Sequence, residues 1–183
     1  ETAKALGTDV LAVSLEDVSD DELYKLGNYG ASKVVSIPNI NKGDSQSAAK
    51  VFSDLSSDSS VIIFSNTYTS KMIAPRLSVT MGAALLTNVI SVSEGSNIQI
   101  KRKAFSTKAI ETTKSNTEKT ILCIAPNSFG LIETGGSCTI EKIDFSESGR
   151  LSFDGQETAS GKISISEAEI VVSGGRGLKG PEN

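Results

Sequence analysis

The chain has 183 residues, 38% hydrophobic and 22% charged, a composition typical of a folded globular protein. Its net charge of -4 disfavours binding to nucleic acid or an anionic membrane surface, since both need a basic face. It contains no histidine, which excludes histidine-dependent catalytic triads and histidine-ligated metal sites. Its apolar runs are far shorter than the roughly 20 residues that cross a bilayer. We therefore expect no membrane or nucleic-acid partner. Acid–base chemistry would have to come from Asp, Glu, Lys or Tyr, and we identify no catalytic residue and no metal site in the sequence.

The first half of the chain predicts alternating strands and helices. Three short apolar runs are typical of buried parallel strands: residues 9–15, 33–37 and 60–64. Ser19 and Glu22 have capping-box spacing at the start of a helix, and Asp44 can cap the next helix. Residues 70–81 predict a third helix, which Pro75 should kink unless it lies near the first turn. This alternation predicts an α/β fold with a parallel sheet flanked by helices.

After Leu86 the pattern changes to short alternating runs, which predict β-hairpins added to the same domain. These runs are residues 89–92, 98–102, 108–111 and 120–125. Residues 133–161 are rich in Ser, Gly and acidic residues, and predict a linker with little core of its own and one strand at 139–143. Two cysteines do not make a disulfide framework; Cys123 is expected in the core and Cys138 in a loop.

Both ends of the sequence suggest a fragment. Residues 1–7 predict the last turns of a helix, and residues 181–183 suit the first turn of another. We expect a first domain at residues 1–165 and the beginning of a second at residues 166–183.

A glycine-rich motif follows a predicted buried strand at residues 168–173. Its glycines are Gly175, Gly177 and Gly180. Their G-x-G-x-x-G spacing lets backbone amides approach a phosphate at a helix N-terminus. Arg176 and Lys179 add cations that a pyrophosphate would favour. The motif indicates a nucleotide phosphate without specifying the nucleotide, and a plain connection that binds nothing is the alternative.

Five stretches resemble, in order, segments of the α subunit of electron-transferring flavoproteins. They are residues 26–34 (LGNYGASKV), 74–89 (with APRL, MGA and TNV), 101–109 (KRKAFSTKA), 126–129 (PNSF) and 171–183 (VVSGGRGLKGPEN). The last stretch is similar to the family's signature segment throughout. Three residues depart from the family pattern: Asn88 stands where Asp is usual, Ala125 where Arg is usual, and Thr107 where Gly is common.

The resemblance implies a first domain with the adenine-nucleotide-hydrolase-like α/β fold, packed on a β subunit, and a second domain that holds FAD. It implies an electron carrier rather than an enzyme. Such a carrier takes electrons from dehydrogenases, such as the acyl-CoA dehydrogenases of fatty acid β-oxidation, and passes them to a quinone oxidoreductase. Arg176 is expected to contact FAD, with Gly175, Gly177 and Lys179 in the same loop. The expected location is the bacterial cytoplasm, or the mitochondrial matrix in a eukaryote.

The resemblance also implies that an interior strand of the sheet precedes Glu1, so the fragment is not expected to be stable alone. Two alternative functions stay open: an adenine-nucleotide-binding α/β module, and an interaction scaffold without a cofactor. The loops after the early strands, residues 14–17 and 65–67, lack the glycines that the first alternative needs. Tyr29 and Phe105 are expected to pack in the core, and the basic run at residues 101–103 to form a solvated hairpin edge or a subunit interface.

Overall fold

A computed structural model of the chain describes residues 9–93, 98–146, 149–151, 154–155 and 168–180, with residues 3, 6, 161, 163 and 165. The chain divides into two compact units, residues 1–153 and residues 154–183. The helix ends predicted at residues 1–7 and 181–183 lie outside the described residues, apart from residues 3 and 6, which are helical.

The first unit contains all the strands of the described residues. They are β1 (Leu11–Leu15), β2 (Lys33–Ile37), β3 (Val61–Ser65), β4 (Ala84–Val92), β5 (Gln99–Ala104), β6 (Ala109–Lys114), β7 (Thr120–Ile124) and β8 (Thr139–Lys142). The α-helices with described bounds are α1 (Asp20–Asn28), α2 (Ser45–Leu55) and α3 (Tyr68–Met81).

The strands form two sheets, ordered β1-β2-β8 and β3-β7-β4-β5-β6. All pairs are parallel except β4–β5 and β5–β6, so the predicted α/β fold with a mostly parallel sheet is confirmed. The hairpin prediction was wrong for residues 120–125, which form the interior parallel strand β7. The reason lies in burial, because Ile121 and Leu122 point to opposite faces of the sheet and both are fully buried.

Helices cover both faces of the first sheet, as the sequence predicts. Val34 of β2 packs in a cluster with Leu23 of α1, while its neighbour Val35 packs on the other face in a larger cluster that includes residues of α2 and α3. That larger cluster also includes Ile62 of β3 and Ile121 of β7. The α2–α3 layer therefore joins both sheets in one apolar core.

Of the two helix caps predicted from the sequence, the cap of α2 is confirmed and the cap of α1 is wrong. Asp44 caps α2, and its Oδ1 accepts hydrogen bonds from the backbone N–H groups of Gln46 at 3.2 Å and Ser47 at 3.1 Å. Ser19 precedes α1, but its side chain makes no capping hydrogen bond, so the capping box predicted there was wrong. Glu22 instead forms an ion pair with Lys25 one turn later, which removes its carboxylate from the cap.

The segment from residue 133 to residue 146 contributes more to the core than predicted. Cys138 lies in a loop, as predicted, but is buried against α1, and Ile143 and Phe145 pack on the α2–α3 cluster. The segment crosses α1 at Gly27, where a Cβ atom would lie 2.6 Å from the Cys138 backbone nitrogen. Gly27 is therefore required by this close crossing of two backbones.

We expect Gly27→Ala to destabilise the full-length protein by about 1–3 kcal/mol, because the added methyl group meets fixed backbone atoms. This loss should exceed the gain of about 1 kcal/mol that alanine normally gives within a helix. Chemical denaturation measures the change, and Lys25→Ala, an exposed change in the same helix, is the control. A Gly27→Ala protein as stable as the control would contradict the close crossing.

Three parallel strands of the first unit have a neighbour on one side only among the described residues. β1 and β8 each pair with β2 alone, and β3 pairs with β7 alone. β1 and β3 place partly buried apolar side chains, Val13 and Leu15 of β1 and Phe64 of β3, against the α2–α3 cluster. Open parallel edges with apolar faces are unusual, because parallel sheets are normally covered and interior.

We therefore expect a polypeptide of residues 1–183 to lack independent stability, since these edges leave backbone groups and apolar surface without partners. The measurement is a thermal melt followed by circular dichroism, with sedimentation to fix the association state. A cooperative melt of a monomer would contradict the prediction.

Candidate functional site

The glycine-rich loop lies in the second unit, and the strand predicted before it does not form. Residues 168–173 have no strand partner within the described residues. Ile170 and Val172 are 82% and 94% exposed, so the predicted burial was also wrong. A buried parallel strand needs neighbours on both sides, and the described residues of this unit form no other strand.

All four predicted cofactor-binding residues, from Gly175 to Lys179, lie in one short turn. Arg176–Leu178 forms a 3₁₀ helix, in which the Leu178 N–H donates to the Gly175 carbonyl at 3.0 Å. The Lys179 N–H donates to the Arg176 carbonyl at 3.4 Å. Both cationic side chains are exposed to solvent. The turn thus places two cations beside a tightly wound backbone.

The glycines of this loop have different physical roles. A Cβ atom on Gly174 would lie 2.7 Å from the Leu178 Cδ1 atom, which is the end of a half-exposed side chain that can move aside. Cβ atoms on Gly175 and Gly177 would meet nothing within 4 Å. Their backbone is open to an approaching group, as a phosphate-binding loop requires. The residues present therefore fit a phosphate, while the described part of this unit offers no apolar recess for a flavin ring.

Two polar groups lie in the loops that follow β1 and β3. Glu16, after β1, adopts a left-handed conformation with φ of 67°, and its carboxylate pairs with Lys42 at 3.1 Å. Asn66, after β3, donates its backbone N–H to the Ile124 carbonyl at 2.8 Å. The side-chain oxygen of Asn66 is buried and accepts no hydrogen bond within the described structure. No sequence pattern predicts the ion pair of Glu16 or the burial of Asn66, because both depend on residues far away in the chain.

A groove of about 870 Å³ lies between α2 and α3 of the first unit. Its charged lining includes Asp54, Arg76 and Arg150. Pro75 also lines it and lies inside α3 rather than at the first turn. Its lining in the described part of the chain includes no glycine-rich loop, so these walls give no support to the adenine-nucleotide alternative.

Among the described residues, no group of three or more His, Cys, Asp and Glu side chains is arranged to hold a metal ion. No helix in that part of the chain combines the length and apolarity needed to span a membrane.

Two aromatic side chains that the sequence predicts to pack in the core lie outside it. Phe105 is 79% exposed at the turn between β5 and β6. Tyr29 is 37% exposed and lies outside the buried core, and its hydroxyl donates to the Glu133 carboxylate at 3.4 Å. Aromatic content alone could not locate them, because the core of the first unit is filled mainly by aliphatic side chains.

Comparison with known proteins identifies the family. The model for the electron transfer flavoprotein domain matches residues 1–148. The chain belongs to the electron transfer flavoprotein family. It is 31% identical to the electron transfer flavoprotein subunit alpha of Bacillus subtilis, over 95% of this chain and 56% of that protein. It is 25% identical to the subunit alpha of Pseudomonas aeruginosa, over 99% of this chain and 60% of that protein. The chain thus spans somewhat more than half the length of these relatives.

Backbone geometry gives a reason for two residues that depart from the electron transfer flavoprotein pattern. Asn88 has φ of 57°, beside an irregularity in the pairing of β4. Asn and Asp both tolerate this left-handed region, so Asn in place of Asp preserves the backbone. Thr107 has φ of 68°, a conformation that favours glycine. The backbone of Thr107 is therefore strained, whereas glycine would adopt this conformation without strain.

The buried thiol of β7 is chemically protected. Cys123 is 1% exposed, which confirms its predicted place in the core. Burial raises the pKa of the Cys123 thiol to about 11, although Lys71 opposes the shift. At pH 8 the reactive thiolate is therefore only about one part in a thousand.

We expect alkylation of Cys123 by iodoacetamide at pH 8 to be at least about 100-fold slower in the folded full-length protein than in urea. Peptide mass spectrometry measures the modified fraction against time. Equal rates in the two conditions would show that the thiol is accessible and its pKa is not raised.

Proposed function

We propose that this chain is the α subunit of a two-subunit, FAD-containing electron carrier. It accepts electrons from dehydrogenases, such as acyl-CoA dehydrogenases, and passes them to a quinone oxidoreductase. Residues 1–165 form the first domain, and residues 166–183 begin the domain that holds FAD. The complex works in the bacterial cytoplasm, or in the mitochondrial matrix of a eukaryote.

The observation that carries the proposal is the open, cationic turn at Gly175–Lys179 in a chain of the electron transfer flavoprotein family. The relatives' names describe an α subunit, which supports a partner subunit for this chain. In such a carrier the flavin accepts the electrons, and the protein binds and orients it.

FAD, when bound, supplies the electron-accepting isoalloxazine ring. Gly175 and Gly177 would admit its pyrophosphate, because no side chain blocks their backbone. The exposed Arg176 guanidinium can donate two parallel hydrogen bonds to phosphate oxygens, and Lys179 adds a second positive charge. These residues would bind the phosphates of FAD, and other parts of the protein would bind the ring.

We expect Arg176→Ala to weaken FAD binding by about tenfold or more, because charge-assisted hydrogen bonds contribute about 1.5–3 kcal/mol. The test uses the full-length gene product purified with its second subunit. Flavin absorption per heterodimer is measured after dialysis, and FAD affinity is measured by titration of the deflavinated complex.

Arg150→Ala is the matched control, since Arg150 is an exposed arginine of the first unit. It should leave the flavin content unchanged. A colourless wild-type complex that does not bind added FAD would overturn the proposed function. A normal flavin content in Arg176→Ala would overturn only the role of Arg176.

A further inference from the structure

The hairpin of β5 and β6 has one positively charged face. Lys101 pairs across the strands with Thr112, and Lys103 pairs with Ile110, so these four side chains share a face. Both lysines are exposed, and the strand residues on this face include no carboxylate. Within the described residues neither lysine forms an ion pair, unlike Lys33 or Lys42. A chain with net charge -4 thus concentrates unpaired positive charge here.

On the opposite face of the hairpin, its one acidic residue, Glu111, is paired with Arg102. Arg102 Nη2 donates to Glu111 Oε1 at 2.8 Å, and Arg102 Nε donates to Glu111 Oε2 at 3.0 Å. These bonds, and a third from Thr113, hold the pKa of Glu111 below its usual value. The carboxylate of the hairpin is therefore fixed away from the lysines and does not neutralise them.

The turn of the hairpin holds an aromatic ring in solvent. Phe105, Ser106 and Thr107 all have positive φ, of 50°, 51° and 68°. For residues other than glycine this conformation costs roughly 1–2 kcal/mol each. The Lys108 N–H closes the turn on the Phe105 carbonyl at 3.1 Å, and its ammonium lies 5.6 Å from the ring centroid. Backbone strain of this kind is concentrated at functional sites. In this turn the strained backbone holds the Phe105 ring in solvent, where it is 79% exposed.

The hairpin also ends the second sheet. Among the described residues β6 pairs with β5 alone, so its outer edge offers free backbone donors and acceptors. A protein can satisfy these groups by adding a strand or a polar loop, whereas lipid tails cannot. The exposed Ile110 lies on this edge strand, between the lysines and the free edge. An acidic protein surface with an apolar recess fits this face better than a membrane.

We propose that the lysine face and Phe105 of the β5–β6 hairpin dock on the second subunit of the carrier, against an acidic surface with a recess for the phenyl ring. The proposal rests on the proposed function, which requires a second subunit. A permanent partner accounts for exposed Phe105 and Ile110, because stable subunit interfaces bury apolar side chains. The lysines set orientation and the rate of association through charge complementarity.

The test compares variants of the full-length gene product for binding to its separately purified second subunit. Lys101→Glu/Lys103→Glu should raise the Kd by about tenfold or more at about 0.05 M salt, and by much less at about 0.5 M salt. Phe105→Ala should also raise the Kd by about tenfold, but independently of salt. The charge-matched control is Lys25→Glu/Lys71→Glu, which changes exposed residues of α1 and α3 and should leave the Kd unchanged.

The outcomes separate this proposal from the function on which it rests. A flavin-containing wild-type complex whose Kd is unchanged in both hairpin variants overturns the docking proposal alone. Failure of the wild-type chain to bind any second subunit overturns both. Binding of the wild-type complex to phosphatidylserine vesicles, lost in the double lysine variant while subunit affinity is unchanged, overturns the docking proposal in favour of a membrane contact. Circular dichroism of each variant excludes unfolding as the cause of a lost interaction.

Discussion

The first unit depends on one apolar cluster that the α2–α3 layer shares with both sheets. Val35 and Ile37 reach it from the first sheet, and Ile62 and Ile121 reach it from the second. The two sheets have no common strand among the described residues, so side-chain burial against the helices holds them together there. Apolar burial is non-directional and scales with area, which lets it join elements that backbone hydrogen bonds do not. β7 is central to this arrangement, because its alternate side chains fill the shared cluster and the cluster on the opposite face.

Several residues of the first unit satisfy constraints on the backbone. Gly27 permits two chain segments to cross at van der Waals distance, and Gly30 adopts φ of 98°. Asn88 takes a left-handed conformation within β4, which a β-branched residue would strain. The glycines of the Gly175–Lys179 turn are of another kind, since local packing does not require Gly175 or Gly177. The fold therefore requires Gly27, whereas the backbone of Gly175 and Gly177 is open to a ligand.

This acidic chain has two exposed sets of cationic side chains, and each set suits a different kind of ligand. Arg176 and Lys179 lie exposed on a glycine-rich turn of the second unit, suited to a compact anion such as phosphate. Lys101 and Lys103 lie on a flat strand face of the first unit beside exposed Phe105, suited to a broad protein surface. Neither set forms an ion pair within the described residues, whereas Lys33, Lys42 and Lys142 are each paired with an acidic side chain.

The sequence by itself determined the local elements: β1 to β3, the three helices, the Asp44 cap and the residues of the glycine-rich turn. These follow from periodicity and from hydrogen bonds between near neighbours in the chain. Only the tertiary structure decided that residues 120–124 form an interior strand, that Cys138 is buried, and that Phe105 points to solvent. It also decided that residues 168–173 form no strand. Strand pairing and burial depend on partners far away in the chain, and no local pattern records whether those partners are present.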